Sequence, residues 1–264
     1  MSKFKKIMML ILLLGLILIV TGYIEGGFRT FEISDFKIAF SDDKTIIKES
    51  YTIDDVKQIK INVESVEEID IHVADEFKLE MEACDLGNGK KSISYDINDG
   101  ILNVNQESDD RKITFGFLNN SKEKIKITIP KDFSLENFEL ESDYSNINIS
   151  DVSLKKALIQ SDYGNINSNN ISINDDLSIK ADYGDINIDN IYCNNLNVTC
   201  DYGDVNIQTA EKENLFDYTL ETTYGDIKLN GNSFEDNYSR NNNATKRMNV
   251  ICNYGDIEID TLKN

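Results

Sequence analysis

Across 264 residues the chain has no tryptophan, one proline, one histidine and four cysteines. With Pro130 alone unable to donate a backbone hydrogen bond through its nitrogen, long sheet ladders can run almost unbroken. The only histidine, His72, alternates with Ile71 and Val73 and so points outward, which leaves no Ser-His-Asp or Cys-His arrangement to assemble. Cys84, Cys193, Cys200 and Cys252 contain no CxxC pair and no metal-finger spacing. Positive charge is also scarce. Lys and Arg total 27 against 47 Asp and Glu, a net charge of −20, and such a surface repels nucleic acid and anionic lipid. Arginine occurs only at Arg29, Arg111, Arg240 and Arg247, none expected on a repeat strand. No phosphate-binding loop is present, so no catalytic residue and no cofactor are expected.

One long hydrophobic run exists. Lys3, Lys5 and Lys6 precede an uncharged stretch from Ile7 to Ile24, and its 18 residues as a helix span roughly 27 Å, close to a bilayer's hydrocarbon core. Tyr23 and Phe28 suit the interface beyond it. Residues 1–24 are therefore expected to be a signal anchor and single transmembrane helix. The lysines place its N-terminus in the cytoplasm and the rest of the chain, joined through a juxtamembrane segment at 25–50, outside the membrane. A cleaved signal peptide is the alternative, although TGYIEGG offers no small-x-small cleavage site.

From Tyr51 onward apolar residues alternate. Ile59, Ile61 and Val63 share one face, followed by Ile69, Ile71 and Val73, then Phe77, Leu79 and Met81, Leu102 and Val104, and Ile125, Ile127 and Ile129. This period of two predicts half-buried strands, with turns at LGNGK and INDG and a strand end at Pro130. No helix is expected beyond the anchor.

An octapeptide then recurs six times: SDYSNINI from Ser142, SDYGNINS from Ser161, ADYGDINI from Ala181, CDYGDVNI from Cys200, TTYGDIKL from Thr222 and CNYGDIEI from Cys252. Its tyrosines, Tyr144, Tyr163, Tyr183, Tyr202, Tyr224 and Tyr254, are 19, 20, 19, 22 and 30 residues apart. A period near 20 marks units that bury their apolar faces only against their neighbours. Aligned on tyrosine, the repeats keep apolar residues six and four positions before it and three and five after it. Each coil then offers three short apolar faces separated by polar corners, which stack as parallel strands about 4.8 Å apart. The expected fold is all-β: a right-handed single-stranded parallel β-helix over 51–264, with irregular first coils at 51–135 and six tyrosine-corner repeats at 136–260. An antiparallel sandwich is the runner-up, but it would not explain matching residues at one phase of every repeat.

At the corners Gly164, Gly184, Gly203, Gly225 and Gly255 tolerate positive φ, and the following Asp or Asn can bond its own backbone; Ser145 departs from the pattern. The six tyrosines should form a ladder, edge-on or offset. Cys200 and Cys252 share an inward column with Ser142, Ser161, Ala181 and Thr222. With coils stacked in chain order they lie two coils apart, about 9.6 Å, too far for a disulfide. Two outward acidic columns run alongside, Asp143, Asp162, Asp182 and Asp201 in one and Asn146, Asn165, Asp185, Asp204, Asp226 and Asp256 in the other. Asp182, Asp185, Asp201 and Asp204 are the candidate Ca²⁺ ligands, but no GGxGxD nonapeptide accompanies them, and the favoured reading is a solvated acidic face without metal. Residues 231–248 read as an inserted surface loop or a contact loop, and the last coil near Ile259 as an open edge suited to self-association.

The anchor, the IKITIP segment ending at Pro130 and the DYGDINI-type coils together resemble the bacterial putative-adhesin family of unknown function, which carries S-x-G-x-I-x-I β-solenoid repeats. The resemblance spans roughly 51–260; tyrosine before glycine is this chain's departure from it. It brings no established catalytic residues. It implies a non-enzymatic, membrane-tethered extracytoplasmic solenoid that binds or scaffolds an envelope component. Alternatives are an accessory regulator of an envelope-stress system or a carbohydrate-active β-helix enzyme.

Overall fold

The computed structural model describes residue 15 and residues 31–34, 37–40, 45–107, 113–115, 122–133 and 135–262. The anchor expected over 1–24 lies outside the described residues apart from Gly15, and no helix among those described is long and apolar enough to cross a membrane. The chain divides into two compact units, Met1–Lys44 with Asp109–Ser121, and Thr45–Ser108 with Lys122–Asn264. In the smaller unit β1 (Phe31–Ser34) pairs antiparallel with β2 (Lys37–Phe40) and with the later strand β9 (Ile113–Phe115). The segment expected to be juxtamembrane thus contains strands, and 109–121 groups apart from the irregular first coils that surround it in sequence.

The larger unit is all-β. It opens with β3 (Ile46–Thr52), β4 (Gln58–Ala74), β5 (Lys78–Gly87), β6 (Lys90–Lys91), β7 (Ile93–Asn98), β8 (Ile101–Gln106) and β10 (Lys124–Pro130). The long strand β4 buries Ile59, Ile61, Val63, Ile69 and Ile71, as its alternation predicts, and also Val66, where the period slips by one residue; Val73, expected on the same face, is only partly buried. β8 runs parallel to its first half and β10 parallel to its second. Antiparallel partners close this end: β3 on β5, β5 on β10 and β7 on β8. The two turns predicted between these strands carry positive φ at Asn88 and Gly89 and at Asp99 and Gly100, as two-residue hairpins require.

The repeats follow in β11 (Leu135–Ser150), β12 (Ser153–Tyr163), β13 (Ile166–Asn169), β14 (Ser172–Tyr183), β15 (Ile186–Asp189), β16 (Tyr192–Tyr202) and β17 (Val205–Lys212). β11 pairs parallel with β4 on one side and with β12 and β13 on the other; β12 pairs with β14, and β14 with β16. These parallel, tyrosine-on-tyrosine registers exclude the sandwich. Within a coil the buried runs are three: Leu154, then Ala157, Ile159 and Ser161, then Ile166 and Ser168. Two consecutive outward residues, Lys155 and Lys156, shift the inward phase between the first two runs, and the ladder slips there.

After the fourth repeat the stacking order departs from chain order. A 3-10 turn (Glu213–Leu215) leads into β18 (Phe216–Tyr224) and β19 (Ile227–Leu229), then β20 (Asn232–Phe234), β21 (Asn237–Arg240), β22 (Lys246–Tyr254) and β23 (Ile257–Leu262). β16 pairs with β22, not with β18, and β22 pairs with β18 on its other side. Likewise β23 lies between β17 and β19. The sixth repeat is therefore inserted between the fourth and the fifth. One file of core residues runs Phe138, Ala157, Leu177, Leu196, Met248, Tyr218.

Several sequence expectations change with this order. Ile259 is fully buried between Ile207 and Leu229, so the open edge expected there does not exist. The terminal coil is the fifth repeat, and its far edge pairs antiparallel with β20 and β21. Residues 231–248, expected to be a loop, supply that cap and the path back into the stack. Arg247, expected off the repeat strands, lies on β22. Cys200 and Cys252 are in-register neighbours and not two coils apart. The returning strand is anchored at its first residue: Lys246 Nζ sits 2.5 Å from Glu211 Oε1 and 3.7 Å from the centre of the Tyr192 ring.

Removal of the inserted coil would leave two facing strand edges and their apolar files unpartnered, a template for aggregation. A chain ending at Arg240 is expected to aggregate or lose the cooperative denaturant transition, whereas one ending at Leu262 keeps it. An unchanged midpoint for the Arg240 truncation contradicts this topology.

Candidate functional site: the tyrosine ladder and its flanks

The tyrosine corner is built by its glycine. A Cβ placed on Gly164, Gly184, Gly203, Gly255 or Gly225 would lie 2.0–2.3 Å from the carbonyl oxygen of the corner residue in the neighbouring coil. Four of these glycines also have φ between +119° and +155°. Glycine is required here for close backbone approach as well as for turn conformation. Ser145 escapes the requirement because the coil beneath it, β4, carries one extra residue opposite the corner.

That approach holds the rings one coil apart. Tyr144, Tyr163, Tyr183, Tyr202, Tyr254 and Tyr224 stack in that order, with centroids 4.7–4.9 Å apart and interplanar angles of 3–16°. The rings are parallel, correcting the edge-on option. They stand at the surface, from 42% exposed at Tyr163 to 65% at Tyr224, where the stack ends.

The residue after glycine serves the same joint. Its side-chain oxygen accepts the backbone N–H of its counterpart in the next coil: Asn146 from Asn165, Asn165 from Asp185, Asp185 from Asp204, Asp204 from Asp256 and Asp256 from Asp226, at 2.8–3.2 Å. The bond expected to its own backbone is thus made to the neighbour's. On the other flank, Lys180 Nζ pairs with Asp182 Oδ1 at 2.9 Å, and Asn253 donates to Asp201 at 2.6 Å. Burial, with the Asp162 charge adding to it, holds the Asp143 carboxyl above its ordinary value; the bond to Asp182 raises Lys180. All four candidate Ca²⁺ ligands, Asp182, Asp185, Asp201 and Asp204, therefore already face protein donors. Among the described residues no group of three or more His, Cys, Asp or Glu is arranged to hold a metal. His72 Nδ1 lies 3.2 Å from Asp70 Oδ2.

Two features escaped the sequence reading. Asn148, Asn167, Asn187 and Asn206 form an amide ladder in which each Nδ2 donates to the preceding Oδ1 at 3.0–3.1 Å. Its signal was the asparagine at the same place in the recurring INI, INS and VNI triplets. At the capped end, Arg240, Arg247, Asn195, Asn197, Ser239 and Asn249 line a polar groove of about 520 Å³. That groove could not be foreseen, because it exists only when the sixth repeat lies beside the fourth.

A family model described as Toastrack DUF4097 matches residues 56–263. The chain belongs to the Toastrack DUF4097 family. Its fold is similar to that of a putative cell adhesion protein from Clostridium sporogenes ATCC 15579, at 16% identity, covering 83% of this chain and 100% of that one, with a TM-score of 0.54. A putative adhesin from Bacteroides fragilis NCTC 9343 matches at 13% identity over 83% of this chain and 97% of its own, with a TM-score of 0.42. No curated protein matches the sequence. The family resemblance noted from the repeats is thereby established, and with it an all-β, solenoid-like Toastrack domain whose function is unknown.

Two tyrosines, Tyr202 in the ladder and Tyr218 in the core, also set an alkaline limit on stability. Burial first, then neighbouring Tyr254 and Tyr183, raise the Tyr202 hydroxyl above its ordinary 10.0, and burial likewise raises Tyr218. Folded-state values above the unfolded value mean that stability is intact below pH 10.0 and is lost as pH rises through the higher folded values. Chemical denaturation across this range should show that loss. At neutral pH Tyr183→Ala, which removes two ring contacts, should cost about 1–3 kcal/mol, and Tyr224→Ala, which removes one, about half as much. Equal costs at both positions would contradict a stacking contribution.

Proposed function

We propose that this chain is a non-enzymatic, membrane-tethered binding protein of the cell envelope, and that its tyrosine ladder is the contact surface. The observation that carries the reading is the six-ring file standing at the surface at 4.7–4.9 Å intervals. Because each ring face is covered by the next ring, the ladder offers hydroxyls and electropositive ring edges in a periodic row. The acidic column beside it disfavours anionic ligands and nucleic acid. A neutral, hydroxyl-rich or cationic envelope polymer matches this chemistry, since a repeating ligand can meet several equivalent rungs at once. Adhesin-like binding agrees with the description of the Clostridium sporogenes structure. The coils wind right-handed in this reading, as parallel crossovers do almost always. The lysines before Ile7–Ile24 support a reading in which the repeats lie outside the membrane, on the side where an envelope ligand is met.

Two measurements test the reading together. A phosphatase reporter fused after Asn264 is expected to be active, because the domain lies outside the cytoplasm. The purified full-length chain is expected to bind isolated cell-envelope fragments saturably, with at least a tenfold weaker Kd when Tyr163, Tyr183 and Tyr202 are all changed to Ser. A cytoplasmic reporter, or binding indifferent to the triple change in a variant that still folds, would overturn it.

A further inference from the structure

The insertion of the sixth repeat brings together two cysteines that chain order keeps apart. Cys200 on β16 and Cys252 on β22 are register partners on adjacent parallel strands. Adjacent strands lie about 4.8 Å apart, inside the roughly 4.4–6.8 Å Cα separation that disulfides span. Both residues are wholly buried in the inward small-residue column. Their sulfurs converge on one atom, with Cys200 Sγ 3.5 Å and Cys252 Sγ 3.2 Å from the carbonyl oxygen of Gly203. The other two cysteines are in register with isoleucines, Cys193 with Ile173 and Cys84 with Ile46. All four are thiols in this structure.

We infer that Cys200 and Cys252 are a disulfide site, and that the bond latches the C-terminal coil into its slot. Among the described residues no disulfide holds that coil, which is tied covalently to the rest only through its backbone. In sequence it follows the whole fifth repeat and its cap, and a bridge would close a loop containing both. Long loops of this kind restrict the unfolded chain most. The cysteines occupy the two coils that are neighbours in space but not in sequence, whereas the other members of the column, Ser142, Ser161, Ala181 and Thr222, cannot cross-link.

The oxidant is a low-molecular-weight disulfide such as oxidised glutathione. The Cys252 thiolate attacks one glutathione sulfur, the glutathione S–S bond breaks, and one glutathione leaves. As β22 docks, the Cys200 thiolate attacks the Cys252 sulfur and expels the second glutathione. Two protein thiols are oxidised, one glutathione disulfide is reduced, and the two protons pass to the glutathione thiolates. The exchange belongs to docking, because the closed slot buries both sulfurs. In the docked pair Cys252 is held below its ordinary range by the hydrogen bond from Cys200, whose own proton is correspondingly harder to remove.

The test is to refold the reduced full-length chain with oxidised or with reduced glutathione, quench, alkylate and digest. Oxidised glutathione should yield a peptide pair linked through Cys200 and Cys252, with Cys84 and Cys193 alkylated. The linked chain should unfold with an equilibrium constant at least about tenfold smaller than the reduced chain. Cys200→Ser, which places at this position the residue the column already accepts at Ser142 and Ser161, should fold and lose both the link and the gain. Four alkylated cysteines, stable glutathione adducts, a link to Cys84 or Cys193, or an undiminished gain in Cys200→Ser would each overturn the site.

Discussion

The contact on which the rest depends is the approach of one glycine corner to the carbonyl of the next. At 2.0–2.3 Å from an added Cβ, that joint admits no side chain, so glycine fixes the coil spacing where the chain turns. Once the corners are nested, everything attached to them falls into files. Tyrosine precedes glycine and its rings must stack; Asp or Asn follows and its oxygen must meet the next coil's N–H. The flanking strands are carried into register, so isoleucine lies on isoleucine through the interior. A repeat that seems to encode a motif therefore encodes a joint, and the exposed ladder is its outward consequence.

The out-of-order coil shows how the outermost coil of a repeat stack can have its edge paired. A regular solenoid finishes on a strand with unpaired backbone groups, a recurrent liability of β proteins. Here the fifth repeat skips a place, the cap strands β20 and β21 pair with its outer edge, and the chain returns to fill the gap. The closing segment is thus interior, not terminal. Lys246 marks the re-entry, with its charge met by Glu211 and the face of Tyr192. The opposite end uses ordinary hairpins, which the predicted turns at Asn88 and Asp99 supply.

Much of this was legible in the residues. Alternation located the strands, and the octapeptide fixed which side chains share a column, because both signals are local to one coil. The order of the columns was not legible. The fourth and sixth repeats are equally compatible with the fifth by pattern, and only the lengthened spacings after Tyr202 and Tyr224 hinted that chain was needed for something else. Placing Ile259 at an open end and Cys200 far from Cys252 followed from assuming sequential stacking. The acidic residues after glycine suggested a cation by their charge, whereas the structure uses them as acceptors for backbone N–H groups, a role asparagine fills equally well at Asn146 and Asn165.

In the proposed function, binding attaches to the surface these files create. Six phenols at one spacing, bordered by carboxylates and amides, present repetition itself as the recognisable feature of this Toastrack DUF4097 domain. The most direct measurement of the underlying account is an experimental structure of residues 45–264. It should show Tyr254 stacked between Tyr202 and Tyr224, with all six rings parallel and under about 5 Å apart. Tyr224 stacked directly on Tyr202, or corners too far apart for the rings to touch, would contradict it.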